Sequence, residues 1–111
     1  MHVRIEEFDL PSHVRAVAIV GLDPPQLRRV EALFAERGIE VIDGGAIGDG
    51  SNMARKARQA AAKAEVTFLN VKNARTLKSE DLGGRVVVHF SGISGVRDML
   101  KRAAEREKKG G

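Results

Sequence analysis

Three short apolar runs separated by helical patterns constrain the fold of this chain more than any other feature. The runs RAVAIVG, EVTFLNV and RVVVHF, which begin at Arg15, Glu65 and Arg85, contain few polar residues. Such continuous apolar character is typical of parallel strands that are buried on both faces of a sheet. A further run, Ile39 to Asp43, alternates with Glu40 facing outward, which indicates a strand at a sheet edge.

The segments between these strands predict helices. Asp23 is placed to cap the first helix, two prolines follow in its first turn, and Gly38 is placed to stop it. Ser51 can cap a second helix, and a third begins near Ser94. The second helix carries a stripe of small residues, which are Ala54, Ala57, Ala61 and Ala64. The sequence therefore predicts a three-layer α/β fold with a four-stranded, mainly parallel sheet in the order 2-1-3-4 and helices on both faces.

The outer edge of the fourth strand is too apolar to be left unpaired. Two solutions stay open. The N-terminal arm, residues 1–13, can add an edge strand because Val3 and Ile5 alternate with polar residues, or a second copy of the chain can pair there and form a homo-oligomer. We divide the remainder into one α/β domain, residues 14–107, and a disordered tail, residues 108–111.

The composition excludes several classes of protein. A chain of 111 residues has room for one hydrophobic core. Because cysteine is absent, disulfides, thiolate metal sites and thiol chemistry are excluded. The longest apolar run is far shorter than the ~20 residues of a membrane span, and the N-terminus is too acidic for a secretory signal. We expect a cytoplasmic protein without a cofactor or a membrane partner.

Charge is divided unevenly along the chain. Residues 1–50 carry five Arg against nine acids, a balance of −4, whereas residues 51–111 carry fourteen Lys and Arg against six acids, a balance of +8. Such a basic half either contacts nucleic acid or is simply a solvated surface. The candidate contacts on the second helix are Arg55, Lys56, Arg58 and Lys63. The only aromatic rings apart from the histidines are four Phe in apolar patterns, which argues against a base-stacking platform.

The turn after the fourth strand, in HFSGISGVRDML, is the best candidate for an anion site. Ligands of open α/β sheets bind at the carboxyl ends of the strands, and the start of a helix offers unpaired N–H groups there. Its alternative is an ordinary turn and cap. The predicted anion-binding residues are Ser91, Gly92, Ser94 and Gly95, with Lys72, Asn73 and Arg75 supplied by the neighbouring loop.

The other loops at this edge are weaker candidates. The first turn lacks the GxGxxG spacing, and its two prolines remove N–H donors, which argues against dinucleotide binding. The loop from Gly44 to Asn52 is either a lid or a plain excursion. Asp23, Asp43 and Asp49 together could hold a divalent cation, although separate capping and turn roles are the favoured interpretation.

The histidines predict no catalytic or metal site. His89 lies on the same strand face as Val87, which favours a core or interface histidine over a general base. For His2 and His13 the sequence predicts no partner. Because no nucleophile and base can be paired by spacing, we expect a protein that is not an enzyme.

The order of strands and helices over residues 15–107 resembles the receiver and flavodoxin-like domains. In that resemblance Asp23 corresponds to one receiver acid and Ser91 to the hydroxyl residue, while Asn70 in FLNV stands where receivers carry the phosphate-accepting Asp. The resemblance thus implies a degenerate member that is not phosphorylated. The pattern is also similar to small bacterial α/β domains with a Ser-containing loop before the last helix, and its strand order to the BRCT domain.

The leading hypothesis is a binding or regulatory module that engages a phosphate-bearing partner, nucleotide or nucleic acid, at the carboxyl ends of the strands. The alternative is a protein-interaction or oligomerisation domain that pairs through the fourth strand and the N-terminal segment. An enzyme acting on a nucleotide or sugar phosphate is the third possibility.

Overall fold

The computed structural model describes residues 2–46, 50–72, 82 and 86–110. Their centre is a five-stranded sheet in which every pairing is parallel. The strands are β1 (His2–Arg4), β2 (Ala16–Val20), β3 (Glu40–Asp43), β4 (Val66–Asn70) and β5 (Val87–Phe90), and they lie in the order β1-β5-β4-β2-β3.

In the part of the chain that the structure describes, three α-helices cover the sheet, and the α/β class is confirmed. The helices are α1 (Pro24–Ala35), α2 (Gly50–Ala62) and α3 (Ile93–Gly110), and a 3-10 turn spans Ile5–Glu7. The four strands predicted from the sequence are contiguous as β3, β2, β4 and β5. The sheet has five strands instead of four because the N-terminal arm supplies β1.

Strand β1 lies along β5 in parallel, with His2 opposite Val87 and Arg4 opposite His89. The apolar edge of β5 is therefore covered by the N-terminal arm of the same chain, which is one of the two predicted solutions. The reason for expecting a second copy at this edge no longer applies, and a homo-oligomer stays a prediction.

The larger part of the core lies between the sheet and the helices α1 and α3. Phe68 of β4 is at its centre, with its ring 5.6 Å from that of Phe34 and 6.5 Å from that of Phe90. These three rings are almost wholly buried, as is Val30 of α1. Burial of aromatic rings at these separations stabilises the packing of both helices against one face of the sheet.

Helix α2 covers the opposite face through the small-residue stripe. Ala57, Ala61 and Ala64 are buried as predicted, and Ala60 joins them. The side chain of Ala54 lies outside the described residues. These alanines pack in two small clusters against residues such as Ala18 and Val20 of β2. Because the facing side chains are small, α2 can approach the sheet closely.

The ends of α1 follow the predicted signals. Asp23 Oδ1 accepts a hydrogen bond from the backbone N–H of Gln26 at 3.1 Å, so Asp23 is the N-cap. Gly38 follows the last turn with φ of +71°, a conformation that favours glycine. Within the described part of the chain, no helix has the length and apolar character needed to span a membrane.

The arm and the C-terminal helix are tied to one another. Arg102 Nη2 donates to the carbonyl oxygens of Ile5 at 2.8 Å and Phe8 at 3.1 Å. The predicted disordered tail, residues 108–111, is instead helical as far as Gly110, while residue 111 lies outside the described residues. The run of Glu, Arg and Lys before it favours a helix, and Glu107 pairs with Arg37 of the segment after α1.

Candidate functional site

The crevice between β2 and β4 is the place where ligands bind in many open α/β sheets. Here Asn70, which is buried at the end of β4, donates through Nδ2 to the carbonyl oxygen of Gly21 at 3.0 Å. Its Oδ1 accepts from the N–H of Lys72 at 3.3 Å. Gly21 N–H in turn donates to Gly45 O at 2.8 Å. The polar groups at this crevice thus bond to one another, which leaves them poorly placed to receive a ligand.

The predicted cluster of Asp23, Asp43 and Asp49 separates into individual roles where it is described. Asp23 caps α1, and Asp43 accepts from Gly45 N–H at 2.8 Å while its other oxygen lies 3.3 Å from Lys56 Nζ. Asp49 lies outside the described residues, as does the middle of the loop considered as a lid. Among the residues that the structure describes, no three His, Asp or Glu side chains converge as metal ligands.

The predicted anion turn borders a cavity of about 150 Å³. Ser91, Ser94 and Gly95 line it, but so do the carboxyl-bearing residues Glu6 and Asp98. Two acids beside a helix start oppose the binding of an anion there. The arm also approaches closely, since a Cβ built on Gly95 would lie 3.1 Å from Ile5 Cγ2.

Among the described residues, none of the cations that the sequence predicted for this turn lies beside it. Lys72 is exposed just beyond β4 and is not part of the described lining of the cavity. Asn73 and Arg75 lie outside the described residues. Arg102 does line the cavity, but its Nη2 already donates to two backbone carbonyls. Gly92 has a φ of +107°, so the turn itself favours a glycine at this position.

A larger cavity of about 370 Å³ lies at the carboxyl ends of β1 and β5. His2 and His89 line it together, and His2 Nδ1 forms a hydrogen bond with His89 Nε2. Burial lowers the pKa of His89, and the neighbouring His2 lowers it further. Sequence reasoning missed this pair because β1 and β5 are far apart along the chain. The signal that the sequence offered was the alternation of apolar and polar residues in the N-terminal arm, which indicates an edge strand.

The outer face of α2 is the most uniform charged surface among the described residues. Arg55, Lys56 and Arg58 of α2, and Lys63 in the turn directly after it, are all exposed, as their positions off the alanine stripe predicted. The helix itself, GSNMARKARQAAA, contains no acid. By contrast, α1 and α3 mix bases with acids along their lengths. The described cations of α2 thus lie on one side of the sheet and the mixed helices on the other.

No family model, curated protein or solved structure matches this chain. The resemblance to receiver and flavodoxin-like domains therefore stays a prediction. What is established is the α/β class with a parallel sheet, and a function has to follow from the site residues themselves.

Proposed function

We propose that this protein is a small cytoplasmic binding module that contacts the phosphate backbone of nucleic acid through the outer face of α2. The observation that carries the proposal is the set of exposed cations on and directly after an acid-free helix. Arg55, Lys56 and Arg58 lie on α2, and Lys63 lies in the turn that follows it. A Lys- or Arg-rich face of this kind is the electrostatic footprint of phosphate binding.

The spacing of these cations supports contact with an extended polyanion. Arg55 and Lys63 are eight residues apart; at a rise of 1.5 Å per residue along α2, with Lys63 in the turn just after it, the row is about 12 Å long. Nucleic acid carries one phosphate per about 3.4 Å of axis in each strand, so the row covers about three or four phosphates. A row of this length matches several successive phosphates of a strand better than it matches one phosphate.

The geometry favours binding without sequence preference. The described α2 side chains that project outward near the cations include Gln59, which can donate to a phosphate oxygen as well as to a base. The phenylalanines Phe34, Phe68 and Phe90 are buried in the core and offer no surface for base stacking. Affinity is then set mainly by ion release from the backbone.

Lys56 contributes least among the four cations. Its Nζ lies 3.3 Å from Asp43 Oδ2, so part of its charge is compensated within the protein. Three cations, Arg55, Arg58 and Lys63, are expected to dominate the salt dependence. For duplex DNA, three phosphate contacts give a slope of about −2.7 when the logarithm of the binding constant is plotted against that of the salt concentration. The affinity is then expected to fall about 40-fold between 50 and 200 mM salt.

The experiment is fluorescence anisotropy with a labelled 20-base-pair duplex and a 20-nucleotide single strand over that salt range. The test variant is Arg55→Gln/Arg58→Gln/Lys63→Gln. The matched control, Arg97→Gln/Lys101→Gln/Lys108→Gln, removes the same charge from exposed positions on α3. We expect the α2 variant to lose at least tenfold in affinity and most of the salt slope, while the control stays within threefold of the wild type. Equal losses in both variants, or no binding at 50 mM salt, would overturn the proposal.

A further inference from the structure

The two histidines at the edge of the sheet are brought together by strand pairing alone. His2 lies opposite Val87, so His89, two residues further along β5, points to the same face. His2 Nδ1 and His89 Nε2 are in hydrogen-bond contact, and the ring centroids are 4.6 Å apart with 46° between the planes. His2 is exposed and His89 is half-buried.

Two imidazole nitrogens that lie in hydrogen-bond contact need either a hydrogen or a metal ion between their lone pairs. One proton can occupy the space, because one nitrogen then donates and the other accepts. A metal ion can replace that proton, and both Nδ1 and Nε2 of neutral histidine are common metal ligands. We propose that His2 and His89 bind one divalent transition metal ion, of the class of Zn²⁺, Ni²⁺ or Cu²⁺, between β1 and β5.

To bind a metal ion, the two rings need to move only slightly further apart than they are in this structure. With metal–nitrogen distances of about 2.0–2.1 Å and a tetrahedral angle, the ring centroids would lie about 5.2 Å apart. The observed separation is 4.6 Å, so the rings must move apart by less than about 1 Å. The exposed side chain of His2, on a three-residue edge strand, can make that movement.

The surroundings supply space and charge compensation. The adjoining cavity, about 370 Å³, leaves two metal positions open to water or a small anion. Glu6 lines the cavity and offsets part of the charge of the ion, while Arg4, on the same wall, is paired with Glu7 at 2.9 Å. With two protein ligands, binding is expected to be weaker than at a structural site of four.

The test is titration of the full chain, without an affinity tag, with Zn²⁺ by calorimetry at pH 7.5. The variants are His2→Ala and His89→Ala, and the matched control is His13→Ala, the third histidine, which lies on an exposed turn. We expect one ion per chain, at least tenfold weaker binding in each of the first two variants, and no change in the control. Because His2 is exposed, its variant tests the proposal even where His89→Ala folds poorly.

A second measurement separates the proposed pair from other surface sites. In ¹⁵N NMR of the imidazoles, Zn²⁺ should shift His2 Nδ1 and His89 Nε2 and leave His13 unchanged. Retained binding in His2→Ala, one ion per two chains, or no binding at 1 mM free Zn²⁺ would overturn the proposal. None of these outcomes bears on nucleic-acid binding, which uses α2 on different residues.

Discussion

Asn70 donates through its side-chain amide to the backbone carbonyl of Gly21, 3.0 Å away, and so joins the ends of the two central strands β4 and β2. Asn70 is 4% exposed, so this bond is shielded from water. A buried amide that is satisfied on both its nitrogen and its oxygen fixes the relative position of two loops.

Replacing Asn70 by Asp tests that role. The carboxylate would face the carbonyl oxygen of Gly21 without a proton to donate, so we expect a loss of about 1–3 kcal/mol in the free energy of unfolding, measured with urea at pH 7.5. The control Gln59→Glu makes the same amide-to-acid change at an exposed position of α2 and should stay within about 0.5 kcal/mol of the wild type. If the two variants lose the same stability, the interstrand bond contributes nothing.

Arg102→Ala should loosen the N-terminal arm. The guanidinium donates to the carbonyls of Ile5 and Phe8, and hydrogen bonds to a charged donor contribute about 1.5–3 kcal/mol. We therefore expect a loss of that size in urea unfolding, together with faster amide hydrogen exchange in β1. Lys101→Ala removes an exposed neighbour on α3 and serves as the control. Unchanged exchange in β1 of the Arg102 variant would contradict this role.

Gly44→Ala should destabilise the junction after β3 by crowding. An added Cβ would lie 2.6 Å from Val20 Cγ2 and 2.9 Å from the carbonyl oxygen of Ile19. Overpacking of this kind costs about 1–3 kcal/mol. A double-mutant cycle with Val20→Ala checks the cause, because removing Cγ2 should recover at least about 0.5 kcal/mol as coupling energy. Strictly additive losses would show that Val20 is not the obstacle.

Acidification should weaken the protein through His89. Its pKa in the folded protein is below the ordinary value of 6.5, so the unfolded chain binds the proton more readily. The stability from neutral His89 is complete above pH 6.5 and is lost as the pH falls from 6.5 through the folded pKa. Urea unfolding between pH 7.5 and 5.5 should show a decline that His89→Gln reduces.

Glu65 also makes the stability of the protein depend on pH, but in a more acidic range than His89 does. It accepts the backbone N–H of Arg15 at 2.7 Å, and this bond is the main reason that the pKa of Glu65 lies below 4.5. Its stabilising contribution is therefore present above pH 4.5 and is lost below it. A decline between pH 7.5 and 5.5 that is identical in the wild type and His89→Gln would assign the effect to other groups.

The elements that the sequence predicted well are those with a local cause. Continuous apolar runs located β2, β4 and β5, and Asp23 and Gly38 located the limits of α1, because burial periodicity and caps act within a few residues. Helix α3 extends past the predicted domain limit at residue 107 as far as Gly110, and Glu107 in its last turns forms an ion pair with Arg37, a contact between distant segments that local patterns do not reveal.

The site residues were harder to predict because they depend on contacts between distant segments. The turn at Ser91 shows its hydroxyls and glycines in the sequence, but the approach of Glu6 follows only from the path of the arm. The pairing of His2 with His89 likewise requires that β1 is known to lie along β5. The exposed cations of α2 were predictable, since the buried stripe fixes which face is outward.

The pairing of β1 with β5 also sets the order in which the sheet can be completed. His2 lies opposite Val87, so β1 is synthesised before the other described strands of the sheet but meets its partner only after the last of them, β5, has been made. Closing so long a loop is slow, and contacts of this kind form late. Until then the apolar edge of β5 is uncovered, and the N-terminal arm of a second nascent chain can pair with it. The arm is therefore expected to add to the sheet last, and by doing so it replaces the apolar edge of β5 with the short edge strand β1.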